Sequence, residues 1–287
     1  MKILITGGAG QLGQAFQQLA AAHPHHQFIF TDRTELDITD EGAVDKMLRE
    51  TGVEALVNCA AYTAVDKAET DVELAYAINA TAAGVLARAC AATGVQLVHV
   101  STDYVFNGAG KEPYRENDPV SPVSVYGASK QMGEAEVLEA NKDAVIIRTS
   151  WVYAPFANNF VKTMLRLMQS RPEIGVVADQ FGSPTNALDL AAAILQVLDS
   201  GTRQGGIFHF SNEGVISWYD FALAIRDLSG LDCQVKPLTT AEYPTPAKRP
   251  AYSVMDKTKI QEVYGIRLKP WKESLAACLE QLATVKA

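Results

Sequence analysis

Lys2-Ile3-Leu4-Ile5-Thr6 runs directly into Gly7-Gly8-Ala9-Gly10-Gln11-Leu12-Gly13, and a helical pattern begins there. An apolar strand, a glycine turn and a helix N-terminus in that order open a doubly wound, Rossmann-type α/β fold. Gly8, Gly10 and Gly13 fit G-x-G-x-x-G, while Gly7, Gly10 and Gly13 fit the related G-x-x-G-x-x-G. Small residues let the backbone approach a pyrophosphate, whose charge rests on the helix N-terminus. The stretch therefore predicts a dinucleotide site.

Phe28-Ile29-Phe30-Thr31 reads as the second strand and ends at Asp32, 19 residues beyond Gly13 (32 − 13). A carboxylate at that spacing holds the adenosine ribose hydroxyls. Asp32 favours NADH, whereas Arg33 suits the extra phosphate of NADPH, so both cofactors stay open. His23, His25 and His26 fall between the first helix and this strand. With no acidic or cysteine partner alongside, a solvated loop is expected there rather than a metal site.

Ala55 to Ala61 is apolar throughout, as central parallel strands are, and Tyr62-Thr63 follows at its carboxyl end. A long helix from about 71 to 92 carries Asn79, read as a buried polar group supporting the site. Val95 to Val100 is a further strand, with His99 as a core residue, and ends in Ser101-Thr102-Asp103-Tyr104. Hydroxyls at such a strand end can meet a substrate carbonyl. Ser124-Val125-Tyr126-Gly127-Ala128-Ser129-Lys130 then opens a helix with Tyr126 and Lys130 on one face. A free phenol has a pKa of about 10, and a nearby ammonium pulls it down. Tyr126 is thus the candidate proton donor to a carbonyl oxygen, with Lys130 tuning it and reaching the cofactor ribose.

Beyond the strand Val145–Arg148 the strand–helix alternation loosens. Helices are expected from Phe160 to about 168, over about 187–199, after a capping box at Ser217, and from Trp271 to Leu282; Tyr243 to Pro250 is a proline-rich loop. Residues 1–150 are expected to form the Rossmann-type parallel sheet, with a returning segment at about 181–208. Residues 151–287 are expected to supply mainly a smaller C-terminal α/β substrate lobe.

Of 287 residues, 48% are apolar and 20% charged, an ordinary globular balance. A net charge of −8 argues against general nucleic-acid or anionic-membrane binding. Cys59, Cys90, Cys233 and Cys278 are scattered, which suggests neither a zinc site nor a disulfide framework. No apolar run is expected to be long enough to span a membrane. Nothing resembling a leader precedes the first strand, so the cytoplasm is the expected compartment.

Together these residues resemble the extended short-chain dehydrogenase/reductases. The finer match lies in Val57 to Glu69, Ser101 to Phe106, Arg148 to Tyr153, Asp179 to Thr185 and the proline-rich loop with Arg249. Those segments are similar to the dTDP-4-dehydrorhamnose reductase family. The resemblance implies NADPH- or NADH-dependent reduction of the 4-keto group of a dTDP-sugar. It implies Tyr126 as proton donor, Lys130 as its partner and Thr102 as the residue orienting the carbonyl. It places Gln11, Leu12, Asp32, Asp37, Ile38, Ala61, Tyr62, Thr63 and Val100 at cofactor contacts, and Asp103 and Trp151 at substrate contacts. Arg249 is chosen for the diphosphate because its fork of donors suits phosphate oxygens.

Some members of that family pair through magnesium held by glutamates. Ala15 and Leu188 stand at those positions here and cannot ligate a hard cation. No metal is therefore expected, and the chain is expected to be a monomer or a dimer without a metal bridge. Dehydratase relatives carry Glu after the Asp that Asp103 matches, where this chain has Tyr104. Two alternatives stay open: a reductase or epimerase of another nucleotide sugar, and a non-catalytic NADP-binding subunit like the regulatory β subunit of methionine adenosyltransferase.

Overall fold

A computed structural model of the chain describes residues 1–284. Its first half runs β1 (Lys2–Thr6), α1 (Gln11–Ala20), β2 (Gln27–Thr31), α2 (Glu41–Thr51) and β3 (Ala55–Asn58). Then come α3 (Val65–Ala68), α4 (Val72–Tyr76), a π-helical turn at Ala77–Thr81 and α5 (Ala82–Thr93). β4 (Gln96–Thr102), a 3-10 turn at Asp103–Val105, α6 (Val125–Ala140) and β5 (Val145–Thr149) complete it. The second half holds β6 (Val152–Tyr153), α7 (Phe160–Ser170), β7 (Glu173–Val177), β8 (Phe181–Gly182), β9 (Thr185–Asn186) and α8 (Ala187–Asp199). It ends with β10 (Gly206–His209), β11 (Ile216–Ser217), α9 (Trp218–Leu228), β12 (Gln234–Leu238), α10 (Thr258–Tyr264) and α11 (Trp271–Thr284).

Six strands form one parallel sheet in the order β10-β5-β4-β3-β1-β2. The order reverses beside β1, and a crevice opens at the carboxyl ends of strands at such a switch point. Side chains alternate across the sheet. Ile3 and Ile5 pack with Phe16 of α1 and with Leu190, Ile194 and Leu198 of α8; Leu4 and Leu56 pack on the opposite face with Val44, Leu48 and Leu86. Burial on both faces is why these strands read as continuous apolar runs.

The helical rod Val72–Thr93 spans 22 residues, and its most hydrophobic window has a mean hydropathy of 1.3. It is therefore long and apolar enough to cross a membrane, which corrects the expectation that no run would be. Its apolar character has another use: 61% of its most hydrophobic window is buried inside the protein, packed with Leu4, Leu56 and the α6 residue Val137.

A separate core joins Val161, Met164, Ile174, Phe221, Ile225 and Leu275. Within it β7 and β12 pair in parallel, an element absent from the sequence reading. The expected capping box is present, with Ser217 and Asp220 bonding reciprocally at the start of α9. The histidines at the α1–β2 turn do have an acidic partner: Asp199, at the end of α8, lies beside them. The premise for a merely solvated loop there is corrected.

Candidate active site

Two contacts fix the start of α6. Ser124 Oγ accepts from the Gly127 amide at 3.2 Å, and Glu69 Oε1 accepts from the Val125 amide at 2.9 Å. A Cβ on Gly127 would strike the Tyr104 carbonyl, and one on Gly133 would strike the Asn79 carbonyl. Glycine at these positions lets the helix close on both neighbours. Asn79 is buried, and its amide bonds the Tyr62 backbone on both sides and Ser129 Oγ.

Thr102, Asp103, Tyr126, Lys130 and Trp151 line one cavity of about 520 Å³ together with Gly10, Gln11, Leu12, Thr63 and Val100. Gly10, Cys59 and Ala61 also line an adjoining cavity of about 450 Å³, so the two form a continuous crevice. That second part holds Gly7, Asp32, Arg33, Asp37 and Ile38. A third cavity, of about 500 Å³, meets the first at Tyr104 and carries Arg171, Trp218, Tyr243 and Arg249. These volumes are in the range of small-molecule sites.

The crevice fits a dinucleotide. Gly7 has φ +66°, and a Cβ there would meet the Ala60 backbone. No side chain caps α1, unlike α2, α6, α7, α8 and α9, so its first amides are left for phosphate oxygens. Gln11 Oε1 is buried without a partner.

Two expected cofactor contacts lie behind the crevice instead of lining it. Gly13 packs against the Gly7 carbonyl and Gly8, where its missing side chain permits the tight turn. Tyr62 turns its hydroxyl to Asp71, at 2.9 Å. Arg249 does line the outer cavity, but its fork is closed on Asp66 by two bonds of 2.9 Å. Arg171, on the same cavity, forms no ion pair among the described residues. Trp151 adopts φ +49° and stacks on Trp218 with ring centroids 3.6 Å apart.

The electrostatics differ from the sequence expectation. Burial pushes the Tyr126 phenol up to about 12, opposed by hydrogen bonding with Thr102. Lys130, 2% exposed, is itself pushed down to about 8 by burial, with Glu134 acting against the shift. Lys130 donates to the Val100 carbonyl and lies beside His99 Nε2, so it does not lower the phenol in this state. Asp103 is driven up to about 6 by burial. Its Oδ1 accepts from Thr102 at 3.1 Å, while Oδ2 is buried without a partner.

Below the crevice lies a charge pair whose function sequence reasoning missed. Arg148 holds Glu134 through bonds of 2.8 and 2.7 Å, and Ser101 donates to the same carboxylate at 2.6 Å. Spacing gave one hint, since Glu134 is one helical turn beyond Lys130.

The family model described as "RmlD substrate binding domain" matches residues 1–284. The spore coat polysaccharide biosynthesis protein SpsK of Bacillus subtilis is 43% identical, covering 98% of this chain and 97% of the relative. A dTDP-4-dehydrorhamnose reductase structure from Clostridium acetobutylicum superposes with TM-score 0.94 at 45% identity, over 99% of this chain and 100% of that one. The Bacillus anthracis dTDP-4-dehydrorhamnose reductase, solved in complex with NADP, gives TM-score 0.93 at 40% identity, over 98% and 99% of the two chains. Alike from end to end in sequence and in fold, this chain belongs to the RmlD family, that of the dTDP-4-dehydrorhamnose reductases.

Proposed function

We infer that the chain reduces the 4-keto group of dTDP-4-dehydro-L-rhamnose to dTDP-L-rhamnose with NADPH or NADH. One observation carries this reading: Thr102, Tyr126 and Lys130 share a cavity with the glycine-loop residues Gly10 and Leu12. A nicotinamide dinucleotide held along Gly10, Gln11 and Leu12 would supply the hydride for the carbonyl carbon. Tyr126 gives its phenolic proton to the oxygen, so C–H and O–H bonds replace the C=O π bond. A phenol at about 12 stays protonated at neutral pH, as a donor must be. Lys130 then compensates the phenolate, and Thr102 orients the carbonyl. The free Oδ2 of Asp103 accepts from a sugar hydroxyl, and Trp151 offers a flat apolar face. Arg171 joins Arg249 at the diphosphate, since the Arg249 fork is engaged by Asp66.

The test is consumption of NADPH and NADH by the purified chain, with and without dTDP-4-dehydro-L-rhamnose. Tyr126→Phe should lower kcat by roughly 10²–10⁴-fold while dinucleotide binding persists. Binding without substrate-dependent oxidation would reject the reading in favour of a non-catalytic subunit. All four cysteines are unpaired, which suits work in the reducing cytoplasm.

We also infer that any dimer forms without a magnesium bridge. Ala15 is buried in the core. Asp189, next to Leu188, is bonded to Ser274, Asn212 and Lys269. Gel filtration should give one elution position with and without a chelator.

A further inference from the structure

The α1–β2 turn lies at the amino-terminal edge of the sheet, where Met1 donates to the His25 carbonyl at 3.2 Å. The glycine loop lies at the opposite edge, about 16 Å away along five residues of strand. Here His23, His25 and His26 meet Asp199 of α8, one ligand atom from each lying within 4.8 Å of the others. His26 Nε2 is 3.0 Å from Asp199 Oδ1, and His25 Nε2 is 3.5 Å from Asp199 Oδ2.

The His26 side chain is 2% exposed, yet neither of its ring nitrogens has a hydrogen-bond partner of acceptable geometry; His23 Nδ1 is likewise buried and unpartnered. Native proteins rarely leave such atoms unsatisfied.

We propose that His23, His25, His26 and Asp199 form a divalent transition-metal site, filled by zinc, that staples the end of α8 to the α1–β2 turn. Three imidazoles and one carboxylate match the nitrogen and oxygen donors zinc takes in four-coordinate sites. Bonds of about 2.0–2.1 Å put tetrahedral ligands roughly 3.3 Å apart. His26 is the fixed anchor. His25 and Asp199, with side chains 58% and 40% exposed, have room to close the remaining gap. The site is structural, because it lies at the end of the sheet away from Tyr126 and uses none of the residues of the reduction.

The experiment uses the untagged, chelator-stripped chain. Calorimetric titration with zinc chloride should show one equivalent bound, and Tm should rise by roughly 2–6 °C at saturation. His25→Ala and Asp199→Asn, both at exposed side chains, should weaken zinc at least as much as the roughly 10–100-fold typical of losing an outer partner. Both variants should keep the parent's turnover. Cobalt should give the intense visible bands of a tetrahedral ion in the parent and lose them in both variants. Zinc binding that is absent, or of equal affinity in parent and variants, would overturn the proposal, as would an octahedral cobalt spectrum in the parent.

Discussion

Lys130 Nζ lies 3.3 Å from His99 Nε2 and 2.7 Å from the Val100 carbonyl oxygen. The other His99 nitrogen meets Asn58 Nδ2 at 3.0 Å, and Asn58 Oδ1 accepts from Thr6 Oγ1 at 2.7 Å and the Ala60 amide at 3.2 Å. Those two donors fix the Asn58 amide, so its NH₂ faces Nδ1 and the His99 proton belongs on Nε2, towards the lysine. An N–H aimed at an ammonium disfavours its charge. Three adjacent strands thus add to burial in lowering the lysine from its ordinary value, while leaving it charged at neutral pH.

The reduction should weaken as pH rises through about 8, where Lys130 loses the charge that compensates the phenolate. The measurement is kcat/KM against pH. In His99→Gln an amide oxygen can accept from the ammonium, so the falling limb should move to higher pH. An unchanged limb would separate Lys130 from this network.

Asp103→Asn should stabilise the protein while impairing it. Its folded-state value is raised from 3.8 to about 6, so the folded form holds more protons in that window. Stability therefore falls as pH rises from about 4 to 6, and the cost is complete at pH 7. That displacement corresponds to about 3 kcal/mol. Urea midpoints should show the variant more stable at pH 7 and the difference shrinking towards pH 4, with KM for the sugar nucleotide raised.

Arg148→Met should cost about 3–5 kcal/mol, because it strands the Glu134 carboxylate in the core. Side-chain exposures of 2% and 5% leave water little access to either partner. Adding Glu134→Gln should recover much of the loss, read from denaturation curves of both variants.

Arg33→Ala should lower kcat/KM with NADPH by roughly 10–100-fold, the worth of one charge-assisted bond, and leave NADH nearly unchanged. Asp32 Oδ1 is already bonded to the Thr34 amide and hydroxyl at 2.7 and 2.8 Å, while Arg33 is exposed at the rim of the crevice. Equal losses with both cofactors would place Arg33 away from the extra phosphate.

What was legible in the sequence follows from local rules. Gly7 to Gly13 announce a turn that needs missing side chains, and helical spacing sets Tyr126 and Lys130 on one face. Two-sided burial makes Ala55 to Val57 of β3 and Val145 to Ile147 of β5 continuous apolar runs. What was not legible depends on residues far apart in the chain. The Lys130 amine points at the carbonyl of Val100, an acceptor that β4 supplies 30 positions away. The Arg249 fork closes on Asp66, 183 positions away. Asp199 reaches His26 across 173 positions (199 − 26) because α8 lies along α1. Short β7 alternates weakly, and Pro237 disguises β12 as a loop.

The return of α8 and β10 to the sheet makes the two halves of the polypeptide mutually dependent. Leu190 and Ile194 shield the side of Phe16 that the first 150 residues alone would leave wet. A truncation after residue 150 would also strip β5 of its outer neighbour, baring a sticky hydrogen-bonding margin. Such a fragment should precipitate, so ribosomal synthesis must run past residue 209 before the nucleotide-binding half can mature.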